Sequence, residues 1–486
     1  MIRPSKQDFL KIAAADNVVA VMLELGADRF TPIDAYYALG ASYLLESAER
    51  GSTVGRYSFL GIEPVLRLSI DGCVCTITED GKQRTTQSND PLRLVGEILS
   101  ERSYIGNGDL SPFPGGAVGY VGYDMVSQWE KLPDASAKPT TGIPDAVFMM
   151  TKYHLVFDNL MHNVKIIANV RTGSDLSGDY DAAIVGIEAI SQKLKDAAKN
   201  PVVSGSVKIS ELVPQMDRAV YEKGVADTKE LIASGECIQV VISQRFSADI
   251  EGDSFEVFRA LRSINPSPYM FYLDFDDFVL LGASPEVMVK VDNGKAMLRP
   301  IAGTRPRGKT PLEDEALKAE LLADEKERAE HIMLIDLARN DLGRIAQSGS
   351  VTVDRYMEVE SYSHVMHIVS EVSAKLRPET DVFDVIRATF PAGTVSGAPK
   401  VRAMEIISDF EPVKRGAYAG LVGYFSLNGG FDSCITIRSA LVKDGKIHLQ
   451  AGAGIVFDSV PEKEYDETIN KTGALIKALR KAEEQK

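Results

Sequence analysis

The sequence predicts an α+β protein. Its short β-like runs come in groups, its helical stretches do not alternate strictly with them, and many of the turn signals between runs are of the hairpin kind. Residues 1 to about 190 carry runs such as Val65-Leu66-Arg67-Leu68-Ser69-Ile70 and Tyr153-His154-Leu155-Val156-Phe157, separated by turns that include Asp71-Gly72 and Asp80-Gly81. Asp–Gly pairs between such runs favour two-residue hairpins in an antiparallel sheet. A helical stretch from Asp181 to Ala198 leads into Asn200-Pro201-Val202-Val203-Ser204-Gly205-Ser206, which reads as a linker and divides the chain into 1–205 and 206–486. Beyond it the pattern predicts a helix over Arg218 to Ser234, strands at Ile238 to Phe246 and Phe278 to Leu281, and one long charged helix from about Pro311 to Ile345. No internal repeat or low-complexity segment interrupts this order.

Composition narrows the function classes. With 486 residues, 44% hydrophobic and 25% charged, the chain is globular rather than disordered, and a net charge of -15 argues against nucleic acid or an anionic membrane surface as partner. The four cysteines, Cys73, Cys75, Cys237 and Cys434, lack zinc-ribbon spacing and are read as small buried thiols of a cytoplasmic protein. Asp8, Lys11 and Asp16 interrupt any signal-peptide core, and no run reaches the roughly 18 apolar residues of a membrane span.

The chemistry-bearing residues lie mostly in the second half. Glu327 and Glu330 are three apart and share one helix face, as do Glu464 and Glu467 behind Pro461, with Lys471 on the same face. One such pair alone is an ordinary charged face, here balanced by Lys326 and Arg328. Two pairs of hard oxygen donors, with no Cys or His at soft-metal spacing, point to Mg²⁺. Gly-rich turns at Ile301-Ala302-Gly303-Thr304-Arg305, at Pro391 to Lys400 and at Gln450-Ala451-Gly452-Ala453-Gly454 could each aim backbone N–H groups at an anion or be plain turns. Arg438, read as part of the strand Cys434 to Arg438, is a buried cation that needs a carboxylate or a ligand. Glu286 directly follows an apolar strand and suits a general acid whose pKa is raised by burial, while His367 in His364 to Val369 is read first as a hydrogen-bonded core histidine.

These segments together resemble the chorismate-utilising enzymes, and among them the large subunit of anthranilate synthase. The matching stretches are GASPE at 282–286, PIAGTRPRG at 300–308, DEKERAEHIMLIDLARNDLGRI at 324–345, HVMHIVSEV at 364–372, FPAGTVSGAPKVRAMEII at 390–407, YAGLVGYFS at 418–426, ITIRSALV at 435–442 and QAGAGIVFDSVPEKEYDETINKT at 450–472. LLESAE at 44–49 and GRYSFLG at 55–61 match more loosely.

The resemblance implies antiparallel sheets packed as a sandwich with helices outside, a regulatory region over 1–205 and a catalytic domain over 206–486. It implies a reaction in which ammonia attacks C2 of chorismate with loss of the C4 hydroxyl, and pyruvate elimination then gives anthranilate, the first committed step of tryptophan biosynthesis. On that reading Glu330 and Glu467 bind Mg²⁺, with Glu327 and Glu464 in its water shell. Tyr418, Arg438, Gly303, Thr304, Gly452, Ala453 and Gly454 hold substrate, and Lys471 balances the carboxylates. Glu286 protonates the departing hydroxyl, and His367 with Thr394 serves the enolpyruvyl end. Gln239 stands where water-adding relatives resemble one another in a lysine, and Ala302 where aminodeoxychorismate synthases often have a lysine nucleophile. The resemblance further implies tryptophan as feedback inhibitor, held by Glu46, Ser47, Asn265, Pro268, Tyr269 and Met270, and a separate glutamine amidotransferase subunit as ammonia source in a hetero-oligomer. The alternatives are an aminodeoxychorismate synthase, which keeps its pyruvate, and a catalytically idle tryptophan-binding subunit.

Overall fold

Adjacent residues along the inner strands go to different cores, as a side-chain period of two requires. Along Tyr269–Asp274, Phe271 and Leu273 join Tyr43, Phe59, Phe113, Val118 and Tyr120 in an aromatic-rich core. Met270 and Tyr272 of the same strand turn the other way, toward the helices Pro32–Leu39, Leu176–Ala197, Phe255–Ile264 and Pro461–Glu484. The computed structural model describes residues 2–47, 55–101, 103–106, 111–199, 205–362 and 365–484.

Two largely antiparallel layers result. One runs in space through Asn17–Gly26, Asn163–Arg171, Ala146–Asp158, Tyr57–Asp71, Tyr43–Glu46, Tyr269–Asp274, Phe278–Ser284, Ser439–Lys443, Lys446–Ile455 and Gln239–Gly252. The other runs from Gly116–Val121 through Leu421–Ser426, Phe431–Ile435, Val287–Asp292 and Lys295–Leu298 to Val365–Lys375, which also pairs with Ile301–Pro306 and Thr352–Ser361. The long strands 57–71 and 146–158 belong to both, bending where the register shifts between Pro64 and Leu66. The second layer buries its outer face on the helices Arg93–Ser100, Glu325–Gly343, Val382–Thr389 and Lys400–Phe410. The expected α+β sandwich with outer helices is the observed fold.

The predicted hairpins form as well. Tyr57–Asp71, Val74–Glu79 and Lys82–Gln87 make a meander through turns at Gly72 and at Asp80-Gly81, all three in the left-handed region. Residue 205 does not divide the sheets, since strand 43–46 pairs with 269–274 and strand 116–121 with 421–426. Residues 200–204 of the expected linker lie outside the described residues.

Four expectations change. The long helix is two, Pro311–Ala323 and Glu325–Gly343, because Asp324 leaves the helical region and accepts from the amides of Lys326 and Glu327 as the second helix's N-cap. Residues 301–305 are a bulged strand rather than a turn, with Gly303 at φ 65° in the bulge. Gly452, Ala453 and Gly454 lie inside strand 446–455, paired with Ser243, Ile242 and Val241. Cys73 is exposed, whereas Cys75, Cys237 and Cys434 are buried thiols.

Candidate active site

Two corners meet where the chain crosses between layers. Phe278–Ser284 pairs with Ser439–Lys443 in one layer and Val287–Asp292 with Phe431–Ile435 in the other, so Glu286 and Arg438 occupy facing connections. The Ile435 amide donates to the Glu286 carbonyl (3.0 Å), the Ala283 amide to the Arg438 carbonyl (3.1 Å), and Ser284 Oγ to the Ile435 carbonyl (2.7 Å). Arg438 is therefore not in a strand, as its apolar neighbours suggested, but at a corner with φ 52°. That conformation costs a residue with a side chain about 1–2 kcal/mol, a strain typical of functional positions.

Burial pushes the Glu286 carboxyl up to about 7, against the lowering effects of a hydrogen bond from Thr394 and of the Lys471 charge. Thr394 Oγ1 donates to Glu286 Oε1 over 2.8 Å. Thr394 is thus tied to the candidate acid, a contact that the sequence did not show. The segment that carries Thr394, Gly393–Val395 followed by Gly397-Ala398, pairs with Gln239 and Val240 before the helix 400–410 begins. Gln239 is buried beside Gly454, and its Oε1 has no hydrogen-bond partner among the described residues.

Lys471 links the corner to the C-terminal helix. Its Nζ reaches Glu467 Oε1 (2.7 Å) and the Gly452 carbonyl (2.9 Å), and its own carbonyl accepts from Arg438 (2.9 Å). Burial lowers the pKa of the Arg438 guanidinium, opposed by Tyr418 and Glu467. Tyr418 is buried, its phenol pushed up to about 12, and a Cβ built on Gly452 would stand 3.1 Å from its hydroxyl. A side chain at 452 would also crowd the Ile242 carbonyl of the paired strand, 2.9 Å from that Cβ.

His367 lies half-buried in strand 365–375, one residue beyond fully buried Met366. Its Nδ1 is 2.8 Å from the Gly303 carbonyl and 3.1 Å from Thr304 Oγ1. A carbonyl only accepts, so Nδ1 carries the proton and Nε2 keeps its lone pair. Burial also lowers the imidazole pKa, which favours the neutral ring.

The Gly303 bulge brings backbone toward the first glutamate pair, since a Cβ there would approach Glu327 Oε2 to 3.2 Å. Glu330 has a raised pKa, from burial first and then from Glu327 and Glu467, and Glu464 is raised mainly by burial. Both pairs therefore share one electrostatic neighbourhood, although they come from different helices. Among the described residues no three His, Cys, Asp or Glu side chains converge closely enough to hold a metal. The donor set nonetheless suits Mg²⁺, which needs only one or two direct carboxylates and keeps waters for the rest. A cation there would relieve the repulsion that already raises Glu330. Arg305 was missed by the sequence reading: it bonds Glu327 (3.2 Å), Asp324 (2.8 Å) and Glu320 (2.9 Å) across the helix break.

Five of the six residues expected to hold an inhibitor line a cavity of about 430 Å³. Glu46, Ser47, Pro268, Tyr269 and Met270 face it, together with Lys290, Arg299 and Asp432, none of which the sequence singled out. Asn265 does not line it, being the C-cap of helix 255–264 with its carbonyl accepting from Ser267. Glu46 is already held by Arg262 (2.7 Å), whereas Ser47 Oγ is buried without a hydrogen-bond partner among the described residues. Tyr269 donates to Asp432 (2.8 Å), which also pairs with Lys290 (3.1 Å). Lys290 and Asp432, charged residues within otherwise apolar strands, were the available signal for this wall. Val287 and Arg299 line both this cavity and a small one of about 50 Å³ beside Glu286 and Thr394.

The chain belongs to the family of chorismate binding enzymes, whose sequence model matches residues 41–477. Within it, the chain is 44% identical over 488 residues to anthranilate synthase component 1 of Acetivibrio thermocellus, covering 98% of each chain. It is equally identical to that of Aquifex aeolicus, covering 99% of this chain and 98% of the relative. Among solved structures, anthranilate synthase component I from Streptococcus pneumoniae superimposes with a TM-score of 0.76 at 37% identity, covering 93% of this chain and 98% of that one. The menaquinone-specific isochorismate synthase MenF of Escherichia coli, at 19% identity and a TM-score of 0.71 over 98% of both chains, shares the fold. No helix among the described residues is long and apolar enough to cross a membrane.

Proposed function

We propose that this chain converts chorismate and ammonia to anthranilate and pyruvate, as an Mg²⁺-dependent lyase inhibited by tryptophan. The observation that carries the reading is Glu286, a carboxyl held at about 7 by burial at the corner facing Arg438. Near neutral pH it can be present as the acid, able to give its proton to the departing C4 hydroxyl. Arg438, Tyr418 and the Gly452 to Gly454 strand bind the enolpyruvyl carboxylate. Neutral His367, with Nδ1 tied to Gly303 and Nε2 free to take a proton, serves the elimination of pyruvate. Mg²⁺, when bound, would neutralise the ring carboxylate of the substrate, and Glu330 and Glu467 are the residues to hold it, with Glu327 and Glu464 in the water shell.

Gln239 and Ala302 argue for ammonia as the nucleophile. Neither a neutral amide nor an alanine can activate water or attack the ring. Ammonia is supplied by a glutamine amidotransferase subunit. Tryptophan occupies the 430 Å³ cavity, where the Ser47 hydroxyl, without a partner among the described residues, awaits a polar group. Purified chain given chorismate, Mg²⁺ and ammonium at alkaline pH releases fluorescent anthranilate and pyruvate in equal amounts. An aminated product that accumulates without pyruvate would instead assign an aminodeoxychorismate synthase.

A further inference from the structure

Lys400 and Asp341 form an ion pair of 2.8 Å with 13% and 14% of their side chains exposed, and nothing in the proposed reaction uses either. Each sits at the wrong end of its helix. Lys400 opens the helix 400–410 behind Pro399, which provides no side-chain cap, and Asp341 stands in the last turn of the helix 325–343. Backbone dipoles disfavour a cation at the first position and an anion at the second. Burial moreover pushes the Asp341 carboxyl up, with only Lys400 and Arg344 opposing it. A pair that conflicts with both local preferences and lies mostly out of water must owe its place to something it holds.

What it holds is the segment carrying Thr394. Lys400 Nζ also donates to the Thr389 carbonyl (2.9 Å), so one ammonium ties the residue before the 390–399 segment to the residue after it. Asp341 anchors that tie to the helix that carries Glu327 and Glu330. The segment presses on the same helix: a Cβ at Gly393 would stand 2.7 Å from Leu337 Cδ1. Asp341, Thr389, Gly393, Thr394 and Glu286 all line the small 50 Å³ cavity.

We propose that the Lys400–Asp341 pair is a positioning device that holds Thr394 on Glu286 and keeps both in register with the helix of the first glutamate pair. This rests on Glu286 being the acid of the proposed reaction. Without the pair, Thr394 leaves Glu286, and the acid is both misplaced and deprived of the hydrogen bond that favours its ionised form. The reaction slows while chorismate binding, held by Arg438 and Tyr418, is unaffected.

The test separates positioning from stability by removing both charges. Lys400→Met with Asp341→Leu leaves no buried charge unpaired and is expected to melt near the wild-type temperature. With saturating ammonium its kcat falls roughly 10- to 100-fold, the chorismate KM stays within about twofold, and the basic limb of the kcat–pH profile moves upward. Lys400→Arg restores most of the rate. In a Thr394→Val background the charge-removing pair costs nothing more. Asp341→Asn, which preserves volume, gives a smaller loss with the same limb shift and serves if the double variant does not fold. Wild-type kcat in a folded charge-free variant, or losses that multiply with Thr394→Val, would overturn the proposal. Glu286→Gln is the control: if it turns over normally, the assignment of the acid fails, whereas if it is inactive and the charge-free variant is not, only the positioning role fails.

Discussion

Glu286→Gln should make the protein more stable at alkaline pH while removing most of its activity. The folded protein holds this carboxyl at about 7 against an ordinary value of 4.5, chiefly through burial. Between those values the unfolded chain has released a proton that the folded chain retains. The group therefore carries no ionisation penalty below about pH 4.5. Its penalty grows as pH rises and levels off above 7. At 1.36 kcal/mol per pH unit the interval amounts to about 3 kcal/mol. Glutamine cannot ionise, keeps nearly the same volume and still accepts from Thr394, so the variant escapes that penalty. Urea titrations between pH 5 and 8, followed through the fluorescence of the single tryptophan, Trp129, compare the two proteins. The stability difference should widen toward the variant by about 2.5 kcal/mol across that range. Turnover with ammonia should fall by roughly 10²- to 10⁴-fold, the usual worth of a general acid. Parallel stability–pH curves would refute the account of a buried, proton-retaining carboxyl, whatever happened to the rate.

Glu330→Gln or Glu467→Gln should abolish Mg²⁺-dependent turnover with the circular dichroism spectrum unchanged, and calorimetry should register weakened Mg²⁺ binding; full activity in either would remove the metal assignment. Ser47→Ala should weaken tryptophan inhibition more than it alters the uninhibited rate, because Ser47 lines the 430 Å³ cavity; equal loss of both would misplace the inhibitor. Arg438→Lys keeps the charge but loses the planar fork that meets a carboxylate, so kcat/KM for chorismate should drop about 10- to 100-fold, and an unchanged value would show that no carboxylate is gripped there.

Features set by neighbouring residues were legible in the sequence. The Asp-Gly turns and the helical spacing of Glu327 with Glu330 and of Glu464 with Glu467 depend on contacts within a few positions, and they recur in the folded chain. Asp324 shows how close such a reading comes and where it stops: an aspartate inside a charged helical run reads as one more surface acid. Its side chain instead captures two amides, and Arg305 from a distant strand holds it there.

The sequence by itself determined which residue types were available for chemistry, the α+β class, and the carboxylate pairs with their oxygen-only donor set. Only the tertiary structure decided who meets whom. Arg438 looked like a strand residue because Ile435 and Ile437 precede it, yet the chain changes layers at that point and leaves it in the left-handed region opposite Glu286. Gly452 and Gly454 looked like a turn because glycine is rare in strands, but they lie within a strand with Ile242, Tyr418 and Gln239 close against their backbone. Thr394 donates to Glu286, more than a hundred positions earlier in the chain, a contact that spacing could not show. In each case a partner far away in the chain supplies the reason, and local spacing carries no record of it.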